Sequence, residues 1–137
     1  MSGTEFDIVI AGYIKQDPAQ LDFDRLVKLV EDKKLEVQGA VLVSEDDDGE
    51  VTVKKTAAGG LVAKFVEHRV EKGIADKIEA GLAPGWAGVV AMYERSKGDI
   101  VDATLVGAAK KSVAQVDGRG ANQFKAAMAK AAQGLKS

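Results

Sequence analysis

The stretch Trp86-Ala87-Gly88-Val89-Val90-Ala91-Met92-Tyr93 constrains this chain more than any other feature. At eight residues it falls far short of the about 20 that a helix needs to cross a bilayer. A short run that is apolar on both faces belongs in the interior of a sheet. The chain is therefore expected to build a sheet around residues 86–94.

Other segments supply the partners. Residues 5–14 alternate, with Phe6, Ile8 and Ile10 on one face and Val9, Ala11 and Tyr13 on the other, so they too read as a central strand. Asp17 before Pro18 reads as an N-cap followed by a first helical proline, opening a helix over 18–34. Leu21, Phe23, Leu26, Val27, Leu29 and Val30 supply its apolar spacing. Residues 36–44 form a second strand, with Val37, Val41 and Val43 on one face and Ala40 and Leu42 on the other. Asp46-Asp47-Asp48-Gly49 is a hairpin turn into a return strand over 50–56. Gly59-Gly60 leads to a helix over 61–80, which Gly81 and Pro84 end. Ser96 and Asp99 resemble a capping box for a short helix through Leu105. Lys110 to Val116 is a weaker fifth strand, and a last helix covers 121–135.

The fold class is α+β, one domain over 1–137: a ferredoxin-like β-α-β-β-α-β core extended by α-β-α. The expected sheet is mixed and five-stranded, ordered 2-3-1-4-5, with helices mainly on one face. The other face would carry Val9, Ala11, Leu42 and either Trp86, Val90 and Met92 or Val89, Ala91 and Tyr93. Taken with Trp86, Val90 and Met92, that surface is the candidate self-association face, because it is too apolar to stay bare. The last helix, a second subunit or a segment not present in the chain would cover it.

Composition narrows the chemistry. With no Cys and one His, there is no disulfide, thiolate metal site or cysteine nucleophile. The Asp46–Asp48 run fails as a calcium loop, since a loop with its Gly at 49 would start at Ser44 and end at Lys55. His68 beside Glu67 and Glu71 lacks a second His and reads as a surface residue in a charged helix. Gly118-Arg119-Gly120 reads as a turn, and no phosphate loop or nucleophile elbow is present. No catalytic residue, cofactor or metal is expected.

The net charge of −2 gives no general attraction to nucleic acid, and no nucleic-acid partner is expected. The charge is uneven: residues 1–50 carry a net −8 and residues 105–137 a net +5. Lys110, Lys111, Arg119, Lys125 and Lys130 form the candidate basic patch. The N-terminus shows no signal-peptide pattern, and the chain as given is expected to be cytoplasmic.

Several segments together carry a resemblance. They are Glu5-Phe6-Asp7-Ile8-Val9-Ile10-Ala11-Gly12, Val51-Thr52-Val53, Ala57-Ala58-Gly59-Gly60-Leu61-Val62-Ala63-Lys64-Phe65, His68-Arg69-Val70-Glu71-Lys72-Gly73-Ile74, Leu82-Ala83-Pro84-Gly85 and Lys110-Lys111-Ser112-Val113. The chain resembles the bacterial family known as domain of unknown function 1269, usually described as predicted membrane proteins. The resemblance spans nearly the whole chain. It implies a Gly- and Ala-rich apolar segment after the return strand, where this chain runs from Thr56 straight into Ala57-Ala58-Gly59-Gly60. We expect that segment to have been deleted, with the junction near 56–57. In the full-length protein it would contact membrane. The family offers no catalytic residues to carry over.

These features point to a non-enzymatic, self-assembling or membrane-associated module that forms a homo-oligomer. The alternative is a small-ligand sensor or regulatory domain, by analogy of fold alone.

Overall fold

A computed structural model describes residues 5–35, 37–45, 51–57 and 85–116, with helical residues 126, 127, 129–131, 133 and 134. The elements are β1 (Phe6–Tyr13), α1 (Gln16–Glu31), β2 (Val37–Glu45), β3 (Val51–Ala57), β4 (Ala87–Glu94), a 3₁₀ turn (Arg95–Lys97), α2 (Gly98–Thr104) and β5 (Lys110–Val116). The architecture is α+β. The expected hairpin turn at 46–49, the helix over 61–80 with His68, and the Gly118-Arg119-Gly120 turn lie outside the described residues.

The sheet runs β3-β2-β4-β1-β5, and every neighbouring pair is antiparallel. This corrects the expected order 2-3-1-4-5 and the expected mixed pairing. β4, not β3, lies between β1 and β2. β3 stays at the outer edge beside its hairpin partner, and β5 pairs with β1 rather than with β4. The physical reason is burial. β4 has seven of its eight positions buried and needs strands on both sides, whereas β3 carries Lys54 and Lys55 and suits an edge.

One sheet face packs under α1. Val9, Ala11, Tyr13, Ala40, Leu42, Ala87, Val89, Ala91 and Tyr93 meet Ala19, Phe23 and Leu26 of α1, with Leu35, Val101 and Leu105 completing the cluster. The α1 residues recur at helical spacing, and burying each of Phe23 and Leu26 contributes about 1.5–3 kcal/mol. Leu21, counted in the apolar stripe from sequence, instead stands exposed. Val37 also departs from expectation. The β2–β4 register shifts between Val37 and Gly39, so Val37 pairs with Tyr93 and joins the α1 side, opposite to Val41.

The second face carries Ile8, Ile10, Val41, Val43, Val90, Met92, Ala114 and Val116, all buried within the single chain. Helical Gly134 lies against Ser112 of β5, where a Cβ would fall 3.1 Å from the Ser112 Cβ. Ala127 and Ala131 on the same stretch are buried. Helical residues therefore also reach the face expected to stand open.

Local signals differ at the helix ends. α1 begins at Gln16 with Lys15 at the N-cap and no side-chain cap, so Asp17 lies in the first turn rather than at the cap. α2 has Lys97 at its N-cap, and Ser96 belongs to the preceding 3₁₀ turn, so the capping box does not form. At the C-terminus of α1, Lys33 takes φ of 61°. The Lys33 amide donates to Val30 O and the Lys34 amide to Leu29 O, which is the Schellman pattern with lysine in the usual glycine position.

Candidate functional site

Three polar clusters tie the elements together. In the first, the Tyr13 hydroxyl at the end of β1 donates to Asp22 Oδ2 of α1 at 2.8 Å. The Gly107 amide, in the α2–β5 loop, donates to the same oxygen at 2.8 Å. Both Tyr13 and Asp22 are buried. Burial first, then the hydrogen bond and the charge of Asp22, hold the Tyr13 hydroxyl far above its ordinary pKa. Gly107 permits this close approach: a Cβ there would sit 3.1 Å from Asp22 Oδ2 and 3.4 Å from Pro18 Cβ. The cluster fixes the loop that launches β5.

In the second, Arg95 reaches back to the start of β1. Its Nε donates to Asp7 Oδ1 at 2.9 Å, its Nη1 pairs with Glu5, and its backbone amide donates to Glu5 O at 2.9 Å. Tyr93, paired with Asp7 across the strands, has its pKa pushed up to about 12, by burial first and then by the charges of Asp7 and Asp102. In the third, Lys111 of β5 pairs with Asp102 Oδ1 of α2 at 2.6 Å. Among the described residues no group of three or more side chains could hold a metal ion. No described helix is long and apolar enough to cross a membrane.

The six residues of the candidate self-association face do not form one surface. Val9, Ala11 and Leu42 lie beneath α1. Val90 and Met92 project from the opposite face by strand alternation and are buried there, and Trp86 is half-buried just before β4. The alternative set, Val89, Ala91 and Tyr93, does share a face with Val9, Ala11 and Leu42, but α1 covers it. Of the candidate basic patch, Lys110 and Lys111 lie on β5 and Lys130 is exposed on a helical stretch, while Arg119 and Lys125 lie outside the described residues. By alternation, Lys110 and Lys111 point to opposite faces, and Lys111 is already paired with Asp102.

Among the described residues, β5 has no strand on its outer side. Its seven positions pair with β1 in unbroken register, from Phe6 opposite Val116 to Gly12 opposite Lys110. The far edge differs. β3 carries a register shift against β2 that leaves Lys54 as the extra residue, and bulges with lysine are a usual way to blunt an edge. Val113, at the centre of β5, is 55% exposed. The other exposed large hydrophobics among the described residues are Ile100 in α2, Val106 in the loop before β5, Ile14 just after β1, and Leu21 next to Asp22. Sequence reading missed this surface because β5 reads as the weakest strand. The Lys110-Lys111 pair, matching Lys54-Lys55 in β3, was the available sign that both strands lie at edges. No family model matches the chain, and neither a curated protein nor a solved structure matches it.

Proposed function

We propose that the protein is a non-enzymatic self-association module whose contact surface is the β5 edge. The observation that carries this reading is the unbroken, bulge-free edge of β5 with Val113 exposed at its centre. The buried Tyr13–Asp22 pair with its Gly107 donor, and the surface Lys111–Asp102 pair, support it, because they join β1, α1, α2 and β5 to one another. A rigid body that presents one open strand edge is suited to pairing, and the chemistry on offer is backbone hydrogen bonding.

A ferredoxin-like origin of the body is part of the same proposal. Its support is topological: β1-α1-β2 and β4-α2-β5 each skip one strand, and each places a strand inside the other. β3 with residues 58–84 then counts as an insertion between the second and third core strands. Kinship with the domain of unknown function 1269 family, and membrane contact through a segment lost after Thr56, are also proposed. Thr56 and Ala57 end β3, at the edge opposite β5, so such a segment would leave the self-association edge clear. A native gene that joins Thr56 directly to Ala57 would overturn the deletion.

Sedimentation across a wide concentration range tests the main reading. Reversible association supports it. A strict monomer up to the solubility limit overturns it.

A further inference from the structure

We infer that the partner of the β5 edge is a second copy of the same strand, paired antiparallel about a two-fold axis through Val113. This rests on the self-association reading above and names its register.

The argument starts from charge. β5 reads Lys110-Lys111-Ser112-Val113-Ala114-Gln115-Val116, with Val113 at its midpoint. Pairing centred there places Val113 against its own copy, Ser112 opposite Ala114, Lys111 opposite Gln115 and Lys110 opposite Val116. Each lysine then faces a neutral residue, and all seven positions are used. Shifting the centre to Lys111 opposes two lysines directly, which is destabilising in a cross-strand pair. Shifting it toward Val116 shortens the ladder. Centring on Ser112 also sets each lysine against a neutral residue but pairs only five positions, so Val113 is the centre that combines neutral partners for both lysines with the full ladder.

Side-chain direction agrees. An axis perpendicular to the sheet joins like faces, so the α1 side of one copy continues into the α1 side of the other. There the exposed Val113 side chains would cover one another. Lys111 is held by Asp102, which partly neutralises it beside the seam. The product is a closed dimer with one continuous sheet, in which neither copy retains an open β5 edge.

The test exploits the self-opposed position. Val113→Lys and Val113→Glu each place like charges on the axis. Val113 is exposed, so both variants should keep the wild-type circular dichroism and melting temperature. Each alone should be monomeric by sedimentation where the wild type dimerises. An equimolar mixture should restore the dimer, because the two opposite charges then face each other. The chain has no cysteine, so Val113→Cys should form a disulfide-linked dimer on mild oxidation, while Val106→Cys should not. If Val113→Lys dimerises as well as the wild type, or the mixture stays monomeric, the register is overturned and self-association elsewhere survives. If the wild type never associates, both readings fall.

Discussion

Asp22 is the residue whose loss should cost the fold most for its size. Its Oδ2 accepts from the Tyr13 hydroxyl and from the Gly107 amide, both at 2.8 Å, and its side chain is 3% exposed. Asp22→Ala strands two donors away from water. A hydrogen bond to a charged group is worth about 1.5–3 kcal/mol, and an orphaned buried donor costs about 1–3 kcal/mol. Since the two terms overlap, we expect a loss of about 3 kcal/mol. That corresponds to a fall of about 10 °C in Tm for a domain of this size. Tyr13→Phe removes one donor and leaves the Gly107 bond, so it should cost about 1 kcal/mol.

The Asp22→Asn control is sharper. Both bonds end on the same oxygen, so an amide oxygen in that place keeps both acceptor roles. The amide nitrogen would then face Arg25, which contributes little as a mostly exposed partner 3.6 Å away. Asp22→Asn should therefore retain well over half of the stability lost in Asp22→Ala. Urea unfolding of the two singles Tyr13→Phe and Asp22→Ala with their double mutant gives the coupling. We expect about 1 kcal/mol, because a phenylalanine ring in place of Tyr13 leaves no hydroxyl to orphan once the Asp22 carboxylate is gone. Additive losses, or an Asp22→Asn protein as weak as Asp22→Ala, would refute the shared-acceptor argument.

Further expectations follow from other sites. Tyr13 and Tyr93 are the only tyrosines, and the native fold raises both above the ordinary value of 10.0. Their contribution to stability is therefore full below pH 10 and, for Tyr93, is lost as pH rises toward about 12; tyrosinate absorbance should appear together with loss of circular dichroism, and ionisation near pH 10 in an intact fold would contradict this. Lys33→Gly should raise stability by about 0.5–1 kcal/mol in urea unfolding, since glycine takes the left-handed cap position without a Cβ clash. Gly134→Ala gains up to about 1 kcal/mol of helix propensity but drives a Cβ into the Ser112 hydroxyl. We expect it to be neutral or destabilising alone and stabilising in a Ser112→Ala background, read as the difference in Tm; a gain in the wild-type background would show that the helix does not press on β5.

The element boundaries were legible because alternation and helical spacing are local. β1, β2, β4 and β5 fall within one or two residues of the spans read from the sequence. Strand order was less accessible. Ferredoxin-like logic assigned the place between β1 and β2 to the third strand in the chain, whereas β4 takes it because it has the most apolar surface to bury on both faces. The Val37 face was lost to the irregularity between Val37 and Gly39, which no alternation count can anticipate. The Tyr13–Asp22 cluster was invisible for another reason. Asp22 lies between Leu21 and Phe23, where a lone carboxylate carries no periodic or motif signal, and its second partner, Gly107, is 85 residues away. Only the folded loop brings a backbone donor to it.

The apolar excess that the sequence reading assigned to a bare sheet face has a different consequence once the strands are placed. Ile8, Ile10, Val41, Val43 and Val90 are buried by the chain itself, so a partner finds no open apolar surface among the described residues of that face. It must meet an edge or a corner. The two edges are unequal, because β3 is interrupted at Lys54 and β5 is not. Edge pairing also limits strength. Seven residues a side is far below the about 20–30 per side of a stable interface. Apolar burial at the seam comes chiefly from Val113, so most of the attraction is backbone hydrogen bonding, worth about 0.5–1.5 kcal/mol net per bond. Against the entropy of association, that supports a rapidly exchanging, concentration-dependent dimer rather than an obligate one. Self-association of this chain should therefore be set by local concentration, and a tether that gathers copies, such as a shared surface, would shift it further than any single side-chain change at the seam.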